Sequence, residues 1–363
     1  AGILRPYFVK CADRTMNSRP QLLYLAFGAK TYQLEAIFSI ATAIARSSSA
    51  DEREFDIQVF TDTPSLYAQL PVQLHSINSA WAGPHDYHFR LKHEALRQAL
   101  GSCEQAILID TDTFFRAAPM DLFKRVRQGH LLCNAIGKTL EHAPQTSFLR
   151  ELYARNLADS SLRQTNSGVI GLVRQDIGAL DRSIALMDEL YEAAGGTYTL
   201  EELCLALAAH RQLELNECTD LIHHYWSRKA QFRAKITAWY NKHQQELLSK
   251  DALADALSIN DRLPRPAQPY RGLQKLISLL VPSEQRQFVR EALYGCYRYN
   301  NEFDQACSSA WWEKALSNAE ERLKRPLDAD ELQAWLANIP LRMMAGEQYP
   351  ALCEHLRQHL QAR

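Results

Sequence analysis

Short unbroken apolar runs alternate with helical stripes from Leu22 to about Trp226, and the remainder of the chain is helix-patterned almost throughout. Leu22–Phe27 reads as a strand buried on both faces and ended by Gly28. Leu34, Ile37, Phe38, Ala41 and Ala45 then recur at i, i+3, i+4, i+7 and i+11, one face of a helix. Ile57, Val59 and Phe60 supply a second strand, so the chain opens strand–helix–strand, which implies a parallel sheet. Val72–Leu74 is a weak third strand, and a helix from His88 to Leu100 leads through Gly101-Ser102 into Ala106–Ile109. Further strands are expected at Leu131–Ala135, Gly168–Val173 and Leu213–Cys218. Helices carrying Phe148–Tyr153, Ile177–Ala194 and Leu200–Ala209 lie among them.

After Ile222-His223-His224-Tyr225-Trp226 the period changes. Phe232, Ile236, Trp239, Tyr240, His243 and Leu247 form a helical stripe, and helices follow on both sides of a linker at Pro264, Pro266, Pro269 and Gly272. The pattern divides the chain into a polar lead-in at 1–20, an α/β domain at 21–232 and an all-helical region at 233–363. Trp311, Trp312 and Trp335 fit a sugar-stacking platform, but at helical spacing they fit a packed core better.

Composition narrows the class. With 46% hydrophobic and 23% charged residues the chain is an ordinary globular protein, and a formal net charge of −1 gives no bulk attraction to nucleic acid. Runs such as Ile277–Val281 are far too short to span a bilayer, and the amino-terminal residues lack a secretory signal pattern. The eight cysteines are scattered without a C-x-x-C pair, which suits reduced core thiols and a cytoplasmic protein. Arg271–Leu280 and Arg286–Arg298 mix basic and apolar residues. Solvated faces of ordinary helices explain them, and attachment to the inner face of a membrane stays open. Oligomeric state is not readable.

The chemistry concentrates where the run Ala106–Ile109 meets Asp110-Thr111-Asp112 and then Phe114-Phe115. In an open α/β sheet, ligands collect beyond the carboxyl ends of buried strands. Two carboxylates there, with no lysine or arginine beside them in sequence, call for a divalent cation that in turn holds phosphate oxygens. In an extended segment residues i and i+2 face the same side, so both could reach one ion. The competing explanation is an aspartate-rich turn after a strand. Asp62, after the second strand, suits a base or a ribose contact and equally a turn before Pro64.

With these elements in this order, the stretch from Leu22 to Phe232 resembles the nucleotide-sugar glycosyltransferases of the GT-A fold, in particular the family 8 group that includes glycogenin and galactosyltransferases. The resemblance implies that Tyr32, soon after the first strand, stacks on the nucleotide base. It implies that Arg90 and Lys92 are the basic residues ahead of the D-x-D strand, and that Asp110 and Asp112 bind the metal. Asn166-Ser167-Gly168 resembles the element that contacts the donor sugar. His224 is similar to the family's late metal-binding histidine, and Lys229 to its phosphate-binding lysine. His223, its neighbour on an extended segment, would point elsewhere. Where the family carries Asp-Gln-Asp, this chain reads Leu200-Glu201-Glu202-Leu203. Glu201 or Glu202 would hold a donor or acceptor hydroxyl and, with Asn166, make up the catalytic set. Glutamates opening a helix are equally expected at a surface. The family's glycine after the late histidine is missing.

A sugar–diphosphate bond breaks by departure of the nucleoside diphosphate, so a divalent ion and a lysine there stabilise charge where it develops. Two carboxylates with the pyrophosphate suit Mg²⁺ or Mn²⁺, and one imidazole favours Mn²⁺. The expected activity is transfer of a hexose from a UDP-sugar to a glycan, lipid or protein acceptor, with retention of configuration. A nucleotidyltransferase that makes nucleotide sugars and an inactive sugar-nucleotide-binding scaffold are the alternatives. Phe27-Gly28-Ala29-Lys30 is a poor version of the glycine-rich loop that the first of these prefers.

Overall fold

The computed structural model describes residues 19–47, 54–144 and 146–362; most of the lead-in, with Cys11, lies outside them. The chain divides into two compact units, one within Ala1–Ser39 and Arg46–His224 and the other formed by Ile40–Ala45 with Tyr225–Arg363. The change of unit therefore falls at His224, ahead of the position where the sequence pattern places it.

In the first unit the elements run β1 (Gln21–Ala26), α1 (Lys30–Ala45), β2 (Asp56–Thr61), β3 (Gln73–His75), α2 (Arg90–Leu100), β4 (Gln105–Ile109) and β5 (Thr113–Phe115). They continue with α3 (Pro119–Phe123), β6 (His130–Cys133), β7 (Ile136–Thr139), α4 (Ser147–Ala154), β8 (Arg163–Thr165) and β9 (Val169–Val173). The last are α5 (Gly178–Leu190), α6 (Leu200–Ala209), β10 (Glu214–Glu217) and β11 (Ile222–His224). Seven of the strands form one sheet in the order β10-β6-β9-β4-β1-β2-β3. The β1 pairings with β2 and β4 are parallel, as are β2–β3 and β6–β10, which realises the opening strand–helix–strand pattern.

β9 departs from that pattern. It runs antiparallel to both of its neighbours, with Ile109 opposite Val169. Its amino-terminal end therefore lies at the carboxyl end of β4, and the Asp110 N–H donates to the Gly168 carbonyl at 2.9 Å. This one reversal brings Asn166-Ser167-Gly168 to the aspartate pair. Two small antiparallel ladders complete the end of the sheet, β5 with β11 and β7 with β8.

Ala106, Ile107, Leu108 and Ile109 are all buried, as an apolar run on both faces of a central strand requires. Ala106 and Leu108 pack with Leu23, Leu96, Leu100, Ile170 and Leu205 in one core cluster. Under α2 the imidazole of His93 is fully buried, with Nδ1 3.1 Å from the Ser183 hydroxyl of α5. Burial holds its pKa down at about 3, and the nearby Lys92 and Arg90 charges push the same way. The unfolded chain protonates this histidine near its ordinary 6.5, so it binds the extra proton between pH 6.5 and 3. The stabilisation from keeping His93 neutral is complete above that window and is lost on acidification, at up to about 1.4 kcal/mol per pH unit. His93→Gln is expected to flatten the fall in urea stability between pH 7 and pH 5. An unchanged pH slope would show that His93 does not carry it.

The second unit consists of helices α7 (Lys229–His243), α8 (Lys250–Ser258), α9 (Gln268–Ile277), α10 (Arg286–Gly295), α11 (Glu302–Gln305), α12 (Ser308–Leu323), α13 (Ala329–Leu336), α14 (Ile339–Ala345) and α15 (Tyr349–Gln361), with the carboxyl end of α1. Its core joins Phe288, Leu293, Leu316, Leu336, Leu352 and Leu356. Trp311, Trp312 and Trp335 are all buried, which settles them as packing residues rather than a sugar platform. The described cysteines are all free thiols, and nearly all are buried. No described helix is long and apolar enough to cross a membrane.

Candidate active site

Asp110, Asp112 and His224 converge at the carboxyl end of β4, with one ligand atom from each lying within 4.8 Å of the others. Strand alternation is not what joins the two aspartates, because β4 ends at Ile109 and residues 110–112 form a bend before β5. The bend is held from inside. Thr113 Oγ1 donates to the Asp110 carbonyl at 2.8 Å, and it lies 3.1 Å from Ser39 Oγ, which is 3.0 Å from the Tyr24 hydroxyl. All three side chains are buried, so the bend is anchored to β1 and α1 through a hydroxyl chain.

β11 supplies the histidine. Its antiparallel pairing sets His224 opposite Thr113 and His223 opposite Phe114. The pleat then sends the two imidazoles to opposite sides. His223 Nδ1 lies 2.8 Å from an Arg116 guanidinium nitrogen, away from the cluster, as expected for the strand neighbour of His224. His224 Nε2 lies 3.2 Å from Asp112 Oδ1, and its Nδ1 lies 2.9 Å from Asn166 Oδ1. The amide oxygen can only accept, so Nδ1 carries the proton and Nε2 is the nitrogen turned to the carboxylates. Burial lowers the imidazole's pKa, but the Asp112 hydrogen bond and the two aspartate charges outweigh it and leave the pKa raised.

The donor set fits a divalent cation: two carboxylates and one imidazole aim at a common point, and the second ring nitrogen is fixed by an amide as in known metal-binding histidines. The aspartates have no basic neighbour in sequence, and the fold supplies one in space. Lys92, from the first turn of α2, puts Nζ 2.8 Å from Asp110 Oδ1 and 2.9 Å from Oδ2. It also lies 3.6 Å from Glu201 Oε1. Burial alone would lower the lysine's pKa, yet Asp110 and Glu201 hold it above its ordinary value.

Asn166 turns out to be a connector. Its amide nitrogen donates to Glu202 Oε1 at 3.0 Å while its oxygen holds His224 and accepts from the Gly168 N–H at 3.2 Å. Glu202 Oε1 also accepts from the Ser167 N–H at 3.0 Å. Burial raises the Glu202 pKa against the pull of that N–H, with Glu201 and Asp110 adding to the rise. Glu201 is almost fully buried and is taken up by the Tyr87 hydroxyl at 2.9 Å and the Ser167 hydroxyl at 3.1 Å. It supports the site from within rather than facing a substrate, so the surface-glutamate explanation fails for both residues. Beside them lies a cavity of about 470 Å³ whose walls include Ile136, Phe148, Leu162, Leu203, Asn166 and Glu202.

Arg90 and Asp62 are engaged in structural contacts. Arg90 forks onto Asp188 at 2.8 and 3.0 Å and also donates to the Trp81 carbonyl and to Glu94, so its guanidinium ties α2 to α5 instead of meeting a ligand. Asp62 accepts from the Gly28 N–H and from the Gln33 amide, each at 2.8 Å, and thereby fastens the loop after β1, where Gly28 adopts φ +80°. Tyr32 is 43% exposed on the first turn of α1. Lys229 belongs to the second unit, where it opens α7.

Ser167 and Gly168 are motif neighbours of Asn166 in the sequence, and the structure gives each a role of its own. A Cβ on Gly168 would lie 2.3 Å from His224 Nδ1, so only glycine lets the imidazole lie against the start of β9.

A mostly parallel sheet flanked by helices, with an acidic pair beyond its central strand and a helical region later in the chain, makes this an α/β protein. No protein-family model and no curated protein matches the chain. Among solved structures it is similar to the WbbM bifunctional glycosyltransferase in its apo form, at 13% identity and a TM-score of 0.38, over 59% of this chain and 40% of that one. It is also similar to mouse xyloside xylosyltransferase 1 in its apo form, at 12% identity and a TM-score of 0.38, over 55% of this chain and 85% of that one. The chain thus spans well under half the length of the first of these.

Proposed function

We propose that this protein is a metal-dependent glycosyltransferase that moves a hexose from a UDP-sugar to a hydroxyl acceptor. The observation that carries the reading is the convergence of Asp110, Asp112 and His224 beyond a central strand, with Lys92 on one carboxylate and a cavity beside the other end of the network. Asp110, Asp112 and His224 would hold Mn²⁺ or Mg²⁺, which supplies positive charge to the phosphate oxygens as the sugar–phosphate bond breaks.

In this reading Lys92 holds the Asp110 carboxylate in place, and Asn166 keeps the His224 ligand nitrogen turned inward. The cavity receives the sugar, with Asn166 and Glu202 as its hydroxyl partners and apolar walls that exclude water. The bond from the anomeric carbon to the diphosphate breaks, the acceptor oxygen forms the new bond, and its proton passes to the departing UDP. Retention belongs to the same proposal: Glu202 Oε1 is already taken up by Asn166 and Ser167, and the diphosphate can serve as base. Nucleotide-sugar synthesis draws less support, because the Asp62 carboxylate takes the Gly28 N–H that a phosphate cradle would need and sets a negative charge beside it.

Isothermal titration with UDP in the presence and absence of Mn²⁺ tests the reading. Binding is expected to need the metal and to weaken at least tenfold in Asp112→Asn, which removes one charged ligand. UDP binding that is absent, or indifferent to metal, would sink it.

A further inference from the structure

The second unit holds a separate charged cavity of about 510 Å³ between α9, α10 and α12. Arg265, Arg271, Lys275, Arg290 and Lys314 line it, against the single carboxylate of Glu291. Glu291 offsets one of these charges but forms no ion pair with any of them: its oxygens accept from the Gln287 amide at 3.1 Å and the Asn318 amide at 2.8 Å. Among the described residues none of the five cationic side chains makes a hydrogen bond or ion pair, and Arg271 Nε is buried without an acceptor. Five cations around one cavity, against one carboxylate, give it a net positive potential that favours an anionic occupant.

Among the described residues, the most concentrated exposed apolar surface lies on α9 and the turn after it. Leu273, Leu276, Leu279 and Leu280 are 46%, 66%, 56% and 76% exposed, while Leu74 and Leu257 are the only other exposed leucines among the described residues. Leu273 and Leu276 share one stripe of α9, and the 3-10 turn Ser278–Leu280 extends it. Gln268, Arg271, Gly272 and Lys275 share the neighbouring stripe, which faces the cavity. Leucines beside cations on a short surface helix match the boundary between acyl chains and headgroups, and long basic side chains can reach phosphates from there. A soluble polyanion would account for the cations and leave the leucines in water.

We propose that α9 and the turn after it dock on an anionic phospholipid surface, with the four leucines entering the interface and lipid phosphodiesters occupying the basic cavity. This attachment is independent of whether the first unit transfers sugars. The test is co-sedimentation of the full chain with vesicles of phosphatidylcholine containing phosphatidylglycerol, compared with pure phosphatidylcholine, near physiological ionic strength. Binding is expected only to the anionic vesicles. Arg271→Gln with Lys275→Gln should weaken it roughly 25-fold, at about fivefold per cation removed near such a surface. Leu276→Asn with Leu280→Asn should weaken it at least tenfold with an unchanged melting curve, since both side chains are exposed. Leu280→Ser alone gives a second, milder variant.

Equal binding to both vesicle types, or none to either, would overturn the proposal. So would leucine variants that bind like the parent chain. Soluble polyphosphate bound as tightly as vesicles, and indifferent to the leucine substitutions, would instead assign the cavity to a soluble anionic macromolecule.

Discussion

Gly168→Ala is expected to abolish measurable Mn²⁺ binding while leaving the protein folded. The new methyl carbon would stand 2.3 Å from His224 Nδ1 and 2.7 Å from Cε1, inside any allowed contact. Two responses are open, and both damage the centre. If the imidazole swings away, Nε2 leaves Asp112 and Nδ1 leaves Asn166. If the backbone shifts instead, the Gly168 carbonyl leaves the Asp110 N–H, and the bend that carries both aspartates loosens. Overpacking of this kind costs about 1–3 kcal/mol of stability, a loss most folded domains survive. Loss of one ligand together with the amide that orients it should lower metal affinity by roughly a hundredfold or more. Calorimetric titration with Mn²⁺, alongside a melting curve, reads both effects. Parent-like metal affinity in the alanine variant would mean that His224 is not a ligand.

Lys92→Met should destabilise the first unit by about 3–5 kcal/mol, the usual cost of removing one partner from a buried ion pair. Methionine matches the length and apolar stem of the lysine, so packing is nearly preserved and the change isolates the charge. Without Nζ, Asp110 loses contacts at 2.8 and 2.9 Å, and Glu201 loses its cation at 3.6 Å. Three carboxylates, Asp110, Glu201 and Glu202, would then share a half-buried corner with no lysine. Two rescues separate this explanation from a packing defect. Lowering the pH should restore part of the stability by protonating a carboxylate, and added Mn²⁺ should stabilise the variant more than the parent chain because it returns positive charge to Asp110. Urea melts at pH 7 and pH 5.5, each with and without metal, give all the terms. A variant as stable as the parent at pH 7 would show that the ammonium group is not needed to hold the carboxylates.

Several elements were legible because their signal is local. The run from Ala106 to Ile109 is apolar on both faces, so a central buried strand with the aspartate pair at its end followed directly. The alternation of His223 and His224 separates the imidazole that meets the aspartates from its neighbour, because the two-residue period of a strand holds even for a strand of three residues. Trp311, Trp312 and Trp335 fell on helical spacing and proved to be core.

Arg90 shows where local signal stops. A basic residue two positions before Lys92 on the same helix looks like a second donor contact, but successive helical positions at that spacing do not share a face. The helix turns Lys92 toward Asp110 and Arg90 toward Asp188. Asp62 shows the same limit, since its partners Gly28 and Gln33 come from a different strand–helix connection.

The sequence by itself determined an α/β chain with a helical region after it, an aspartate pair beyond a buried strand and a late histidine able to join them, because hydrophobic period and residue chemistry are properties of short segments. Only the tertiary structure decided what surrounds the pair. The reversed direction of β9 delivers Asn166, Ser167 and Gly168 to it, α2 brings Lys92 onto Asp110, and α6 buries Glu201 beneath the network. Those placements depend on how strands order and helices rotate in a packed core, which is decided by contacts between residues far apart in the chain. The lysine that meets Asp110 lies eighteen residues upstream in the sequence, and the fold alone brings the two together.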